Sequence, residues 1–320
     1  MSKKVLVIRI GAIGDVVETT GLLRSLKKAG YEVDYLTGKI PAQLLQNDSD
    51  INNLFIFEKK DYPYIFKLGL KLRKEKYDTI LNLQPSLRFK TLCFLANPKQ
   101  TVCYKKSYKY HAVENFFETG KRVFPELELD KNITLNIPED LKEKMNAQLD
   151  KNLRIALNTG ANSSRQGRKW CIEYWAQLSK MILAKYDAQI FVVGGKEDEE
   201  NVNELLNIVP EIKSFAGKTT LPETAALLSC ADLVISGDTG PIHIASATGT
   251  TCLGLYGCCS VSRSGPYGEN HKTISSDYEC APCDARTCKL INSDIDDTPC
   301  MRKIQPEKVL NLVDTILEKK

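Results

Sequence analysis

Residues 4–15 read KVLVIRIGAIGD: an apolar run of strand type, then a glycine turn, then an acid. A strand that turns on glycine into a helix is the opening unit of an alternating α/β chain. Working outward from it, strands are expected over 5–10, 33–36, 54–57, 79–83 and 101–104. Amphipathic helices fall between them over 16–29, 42–46 and 65–74. This alternation points to a parallel sheet covered on both faces. Residues 131–140, KNITLNIPED, read as a connector, and the pattern then restarts. Strands are expected next over 154–157, 188–193, 233–235 and 252–256, with helices over 172–185, 197–208, 223–230 and 241–247. Thr220 and Glu223 have capping-box spacing, and Pro306 opens a last helix with a broad apolar face. The fold class is therefore α/β, with two doubly wound domains in series over 1–150 and 151–304 and a terminal helix over 305–320. In such sheets ligands lie beyond the carboxyl ends of the strands, at the switch in strand order. With two domains, the expected site is the cleft between them.

Composition narrows the function classes. The 320 residues are 42% hydrophobic and 26% charged, an ordinary globular balance at a length that suits two domains. A net charge of +4 is too small to imply nucleic acid. Its distribution says more: residues 1–150 hold 25 basic and 19 acidic side chains, a net of +6, and the remainder holds 19 and 21, a net of −2. A basic first half suits an anionic partner, with scattered solvated lysines as the plain alternative. No apolar run reaches the roughly 18 residues of a membrane span. The apolar start lacks a small-residue cleavage site and is interrupted by Asp15. A cytoplasmic protein is expected.

Three stretches carry chemistry. LNTGANSSRQGRKW (157–170) comes directly after a strand and combines glycines and hydroxyls with Arg165, Arg168 and Lys169. Such a loop can bring backbone N–H groups and cations to an anion, or it can be a solvated basic loop. It is neither a Walker A sequence nor a GxGxxG. LVISGDTGPIHIASATG (233–249) ends a strand in SGDTG and starts a helix at Pro241. The free N–H groups and positive dipole end of that helix make a phosphate site. Asp238 there is a cap or hydrogen-bond acceptor, because a carboxylate beside phosphate is repulsive, and His243 is either structural or phosphate-binding. VVGGKEDEE (192–200) places Glu197 just past a strand, where it can hold ribose hydroxyls or simply favour a helix start. Together these form a floor for a nucleotide diphosphate on the second domain. On the first domain, Asp15 is a helix cap or a base, and Lys105, Lys106, Lys109 and His111 in YKKSYKYH form a basic, aromatic-rich patch suited to an anionic acceptor, or a solvated loop.

Eleven cysteines include four spaced Cys280-x2-Cys283-x4-Cys288-x11-Cys300 in a Cys-rich loop over 280–300. A structural zinc, disulfides and free thiols are the three readings; a cytoplasmic setting disfavours the second. The D-x-D at Asp294 and Asp296 does not come after a strand, which counts against a sugar-nucleotide metal site.

IRIGAIGDVVETTGLLRSLKKAG, the KW after the basic loop, GDTGPIHIASATGT, LYG and CMRKIQPEKV resemble, in order, the ADP-heptose:lipopolysaccharide heptosyltransferases of glycosyltransferase family 9. The resemblance implies a GT-B fold of two facing Rossmann-like domains, the last helix packing back on the first. It implies inverting, metal-independent transfer of a heptose from ADP-heptose to an anionic lipopolysaccharide inner-core acceptor, with no cofactor required. Asp15 then matches the general base, with Gly14 beside it on the acceptor side together with Lys105, Lys106, Lys109 and His111. Donor contacts fall on Ser163, Ser164, Arg168, Lys169, Glu197 (or its neighbours Asp198 and Glu199), Asp238, Thr239, Gly240 and His243. Arg168 stands where members usually carry lysine, which replaces a point charge with a fork. A lipid-linked acceptor implies peripheral contact with the cytoplasmic face of the inner membrane. The same fold acting on another nucleotide sugar, and a catalytically silent sugar-nucleotide binder, are the alternatives. A nicotinamide oxidoreductase is disfavoured, since Gly11-x-x-Gly14-Asp15 replaces the GxGxxG it needs.

Overall fold

The computed structural model describes residues 3–160, 166–291 and 298–318. The chain forms two compact units, Met1–Asn136 and Ile137–Lys320.

The first unit is built on five parallel strands: β1 (Lys4–Ile8), β2 (Glu32–Gly38), β3 (Asn53–Phe57), β4 (Thr79–Asn82) and β5 (Gln100–Cys103). Their order is β3-β2-β1-β4-β5, so the direction of winding reverses between β1 and β4. Central β1 has no polar alternation because both its faces are covered; Val5, Leu6, Val7 and Ile8 are fully buried. The helix expected over 16–29 is two helices, Ile13–Glu18 and Thr20–Lys28. The break falls at Thr19, whose hydroxyl donates to the Val16 carbonyl (2.6 Å) and is 2.7 Å from the Tyr35 hydroxyl. A threonine that bonds back to the preceding turn competes with helix continuation. Helices Tyr62–Arg73 and Leu87–Ala96 pack together at Gly69, where a Cβ would lie 2.5 Å from that of Leu95. Only glycine permits that approach.

The second unit has six parallel strands: β6 (Leu153–Asn158), β7 (Ala188–Val192), β8 (Lys213–Ser214), β9 (Leu233–Gly237), β10 (Cys252–Tyr256) and β11 (Lys272–Ser275). Their order is β11-β10-β9-β6-β7-β8, which places the reversal between β6 and β9. Helix Glu139–Asn146 belongs to this unit: Met145 is buried, and Lys144 pairs with Glu223 at 2.7 Å. The first unit accordingly closes at Asn136, ahead of the 150/151 division expected from the sequence. The C-terminal helix Pro306–Leu317, expected to pack on the first domain, places Val309, Val313 and Ile316 in the core of the second unit with Trp175, Leu178 and Ile182. Trp170 is anchored beside them; its indole N–H donates to the Ile304 carbonyl at 2.9 Å, and its ring meets Trp175 edge-on at 4.9 Å. Among the described residues, no helix is long and apolar enough to cross a membrane.

Candidate active site

In the first unit the polar groups gather at the reversal between β1 and β4. Arg9, one residue past β1, donates from Nη1 to the carbonyl of Leu83, one residue past β4, at 2.7 Å. Its other terminal nitrogen, Nη2, forms an ion pair with the Oδ2 of Asp15, and the guanidinium lies 5.2 Å from the Phe116 ring centre. Asp15 sits in the first turn of helix Ile13–Glu18 but does not cap it; the N-cap is Ala12, with no side-chain cap bond. Its carboxylate is 28% exposed, accessible from solvent yet fixed by a largely buried cation. Gly14 is buried directly before it. The sequence alone does not single out Arg9; its one signal is a lone cation inside an otherwise apolar strand run.

Of the other first-unit candidates, Lys105, Lys106 and Lys109 are exposed. Lys106 is folded over Tyr108, with Nζ 2.9 Å from the hydroxyl and 4.4 Å from the ring centre. His111 is the N-cap of helix Ala112–Lys121, its Nδ1 accepting from the Val113 N–H at 3.2 Å. That nitrogen is committed to the fold.

In the second unit the switch between β6 and β9 is closed by side chains. Asn158, at the end of β6, accepts from the Thr239 hydroxyl at 2.8 Å, and Ser236 lies 2.9 Å from the same hydroxyl. Thr239 is the N-cap residue of helix Gly240–Ala247 but makes no side-chain cap bond. The first-turn N–H groups therefore receive nothing from it. Pro241 stands in that turn, where a missing N–H costs nothing. Beside the helix start, Arg168 donates from Nε to the Cys259 sulfur (3.1 Å) and pairs through Nη2 with Asp238 Oδ2 (2.7 Å). The strand end comes this close because residue 237 is glycine; a Cβ there would lie 2.8 Å from the Arg168 carbonyl oxygen. Asp238 also accepts from Ser264 Oγ at 3.1 Å, and His243 Nε2 lies 3.5 Å from its Oδ1.

This cluster is charged despite its burial. Burial by itself would raise the Asp238 pKa, but the His243 hydrogen bond and the Arg168 charge outweigh it and hold the acid at about 2. Burial likewise works against the Arg168 charge, and Asp238 with the Cys259 sulfur more than reverses it, so the guanidinium pKa is raised. Asp238 thus faces Arg168 and His243 and orients them, as a hydrogen-bond acceptor would. Lys169 is half-buried next to them. Glu197 is exposed beyond β7, whereas Asp198 is buried and accepts from the Gly195 N–H at 2.8 Å. Asp198 holds the turn, and the Glu197 carboxylate lies back over Gly195. Ser163 and Ser164 lie outside the described residues, as do Asp294 and Asp296.

A structural zinc site is not shown at the cysteine cluster. Cys280 and Cys283 are exposed, Cys288 is half-buried and Cys300 is buried, all as free thiols. Among the described residues, no three His, Cys, Asp or Glu side chains come together in a metal-binding arrangement. The spacing offered four thiolates; the loop does not bring three of them to one point.

Comparison with known proteins adds an independent line. Residues 65–293 match the family described as glycosyltransferase family 9 (heptosyltransferase). Lipooligosaccharide heptosyltransferase 2 of Campylobacter jejuni is 26% identical over 96% of this chain and 96% of its own. Lipopolysaccharide core heptosyltransferase OpsX of Haemophilus influenzae is 26% identical over 87% and 85% respectively. Among solved structures, a glycosyl transferase family 9 protein of Veillonella parvula superposes with a TM-score of 0.85 at 18% identity, covering 100% of this chain and 99% of that one. The ADP-heptose lps heptosyltransferase II of E. coli gives 0.80 at 18% identity over 99% of each. The two parallel-sheet units are those of the GT-B fold these structures share. With the family matched over more than half its length, the chain belongs to glycosyltransferase family 9 and is a glycosyltransferase.

Proposed function

We propose that this glycosyltransferase moves a heptose from ADP-heptose to an anionic lipopolysaccharide inner-core acceptor, with inversion at the anomeric carbon and without a divalent metal. The observation that carries the reading is the Arg168–Asp238 pair at the start of helix Gly240–Ala247. Asp238 and Cys259 engage Nη2 and Nε of the guanidinium, which leaves Nη1 for a phosphate oxygen. The uncapped first turn of the helix supplies further N–H donors to the same kind of ligand. The names of the relatives point to the donor: E. coli heptosyltransferase WaaC, similar in fold at a TM-score of 0.74, was solved with ADP.

The chemistry rests on what each group can do. The acceptor hydroxyl is a weak nucleophile, so a carboxylate must take its proton as the new C–O bond forms. Asp15 is the proposed base, with Oδ2 engaged by Arg9 and Oδ1 available to the hydroxyl. Such a base contributes roughly 100- to 10,000-fold. As the bond between the anomeric carbon and the diphosphate oxygen breaks, its electron pair leaves with ADP. Arg168, Lys169 and the helix N-terminus stabilise that charge, which is the part a divalent cation plays in other sugar-nucleotide sites. Glu197 holds the ribose, and Lys105, Lys106 and Lys109 attract the acceptor's anionic groups. Attack from the face opposite the leaving group inverts the anomeric centre. We place the protein in the cytoplasm, where a nucleotide sugar is available.

The test is Asp15→Asn. The variant should lose at least about 100-fold in turnover while ADP still raises its melting temperature as in the parent. Turnover that survives the change overturns the assignment of the base. Activity in the presence of EDTA and the anomeric configuration of the product, read by NMR, decide metal independence and inversion. A panel of nucleotide sugars decides the donor.

A further inference from the structure

Helices Tyr62–Arg73 and Leu87–Ala96 lie side by side on the first unit, and their outward surface carries five of the eleven exposed large hydrophobic side chains among the described residues. On the first helix Tyr62, Phe66 and Leu70 recur every fourth residue and form one stripe. Ile65, Leu68 and Leu72 of the same helix point into the core, so the outer stripe is surplus to folding. On the second helix Leu87 and Phe94 are the outward apolar residues, seven apart on one face. All five are between 41% and 82% exposed, and Phe94 is the most exposed large hydrophobic residue among those described. The two helices touch at Gly69 and Leu95, which brings the stripes together on one surface.

The two helices carry charge of one sign, with Asp61 and Glu75 flanking the ends of the first. Lys67, Lys71, Arg73 and Lys74 are exposed along the first helix, and Lys90 stands between Leu87 and Phe94 on the second. Neither helix contains an aspartate or glutamate, and no acidic residue occurs anywhere from 79 to 113. On the wheel of the first helix, Lys67, Lys71 and Lys74 fall on the flank of the apolar stripe opposite the second helix. Apolar side chains rimmed by long-stemmed cations suit an interface whose interior is hydrocarbon and whose surface is anionic.

From this arrangement we infer that the outer face of these two helices is a docking surface for an anionic phospholipid bilayer. Phe66, Leu70, Leu87 and Phe94 enter the acyl boundary, Tyr62 sits at headgroup level, and the lysines pair with headgroup phosphates. Charge complementarity selects this occupant over a second copy of the chain, which would bring five cations against five. A single apolar patch of this size binds a membrane reversibly, so the protein exchanges between solution and surface. The inference gives the membrane contact implied by a lipid-linked acceptor a location, but it uses no step of the transfer reaction and stands apart from that reading.

The full chain should sediment with phosphatidylethanolamine vesicles containing phosphatidylglycerol and not with vesicles of phosphatidylcholine alone, and rising salt should weaken the binding. Phe66→Glu with Phe94→Glu should lower the partition coefficient at least about tenfold. Each of Lys67→Ala, Lys74→Ala and Lys90→Ala should lower it roughly fivefold. All five positions are exposed, so melting temperatures should stay at the parent value. Asp15→Asn should bind vesicles like the parent, which separates this surface from the reaction. Failure to bind phosphatidylglycerol vesicles overturns the inference, as does binding that the double glutamate variant leaves intact. A concentration-dependent dimer in sedimentation velocity that the double variant dissolves would assign the face to a second copy instead.

Discussion

Asp15 and Arg9 show what a sequence gives and withholds at the scale of one residue. Asp15 is legible because strand, glycine turn and acid succeed one another directly in the chain. Arg9 is not, because a cation in an apolar run is either a solvated edge residue or a buried partner. Only the strand order decides: β4 lies beside β1, which puts the Leu83 carbonyl within 2.7 Å of the guanidinium. The same holds for Asp198, whose burial under Gly195 could not be told from the exposure of Glu197 in a run of acids. On the proposed role of Asp15 as the base, Arg9, paired with its carboxylate, is a positioning residue. Arg9→Ala should lower kcat roughly 100-fold through misplacement of the base, with the donor KM nearly unchanged, and Arg9→Lys should recover part of the loss. Steady-state kinetics with both substrates varied separates the cases. A kcat that stays at the parent value, or a donor KM that rises in step, would remove Arg9 from this role.

Among the elements, the capping box at Thr220 could be read directly and is formed as read. The Thr220 hydroxyl accepts from the Glu223 N–H at 3.4 Å, and the Glu223 carboxylate accepts from the Thr220 N–H at 2.9 Å. The sequence could not show that Lys144, far away in the chain, joins the same carboxylate at 2.7 Å. Lys144, then the Thr220 N–H and hydroxyl, hold the Glu223 pKa at about 2. A carboxylate depressed on folding stabilises the protein above its unfolded pKa, about 4.3, and that contribution fades as pH falls toward 2. Lys144 is exposed, so solvent screening keeps the ion-pair part below about 1 kcal/mol. Thr220→Ala should cost about 1 kcal/mol at neutral pH. The deficit of Glu223→Gln relative to the parent should shrink between pH 5 and pH 3, by roughly the unfolded-state titration range. Urea denaturation at the two pH values tests it; a deficit that does not change with pH would mean the charge contributes nothing. Several elements that went unread lack a legible apolar period. Helix Leu87–Ala96 shows apolar residues on its outer face as well as its inner one, which erases the helical period. Helix Glu139–Asn146 buries only Met145. Strands β8 and β11 are short edges without an apolar run.

For the whole molecule, the restart of the strand–helix pattern reveals two units, but not where the first one ends. The connector read over 131–140 contains the observed division between Asn136 and Ile137. Immediately beyond it, the mostly polar helix Glu139–Asn146 joins the second unit through buried Met145, the Lys144–Glu223 ion pair and hydrogen bonds from Arg154 to the Asn146 side chain and from Cys230 to the Lys142 carbonyl. Each unit has its own sheet and its own apolar cluster, so each should fold alone if cut where its contacts end. For the second unit the decisive segment is the last helix. Val309, Val313 and Ile316 fill the core formed by helix Ile172–Lys185, and burying three such side chains is worth about 1.5–3 kcal/mol each. Their sum rivals the roughly 5–15 kcal/mol that stabilises a whole domain. A fragment of residues 137–320 should therefore unfold cooperatively and gain stability from ADP, whereas 137–304 should not reach a folded state. The fragment 151–320, which lacks the helix carrying Lys144 and Met145, should fold with a lower urea midpoint than 137–320. Circular dichroism melts with and without ADP distinguish the three, and a folded 137–304 would show that the terminal helix is not part of this core.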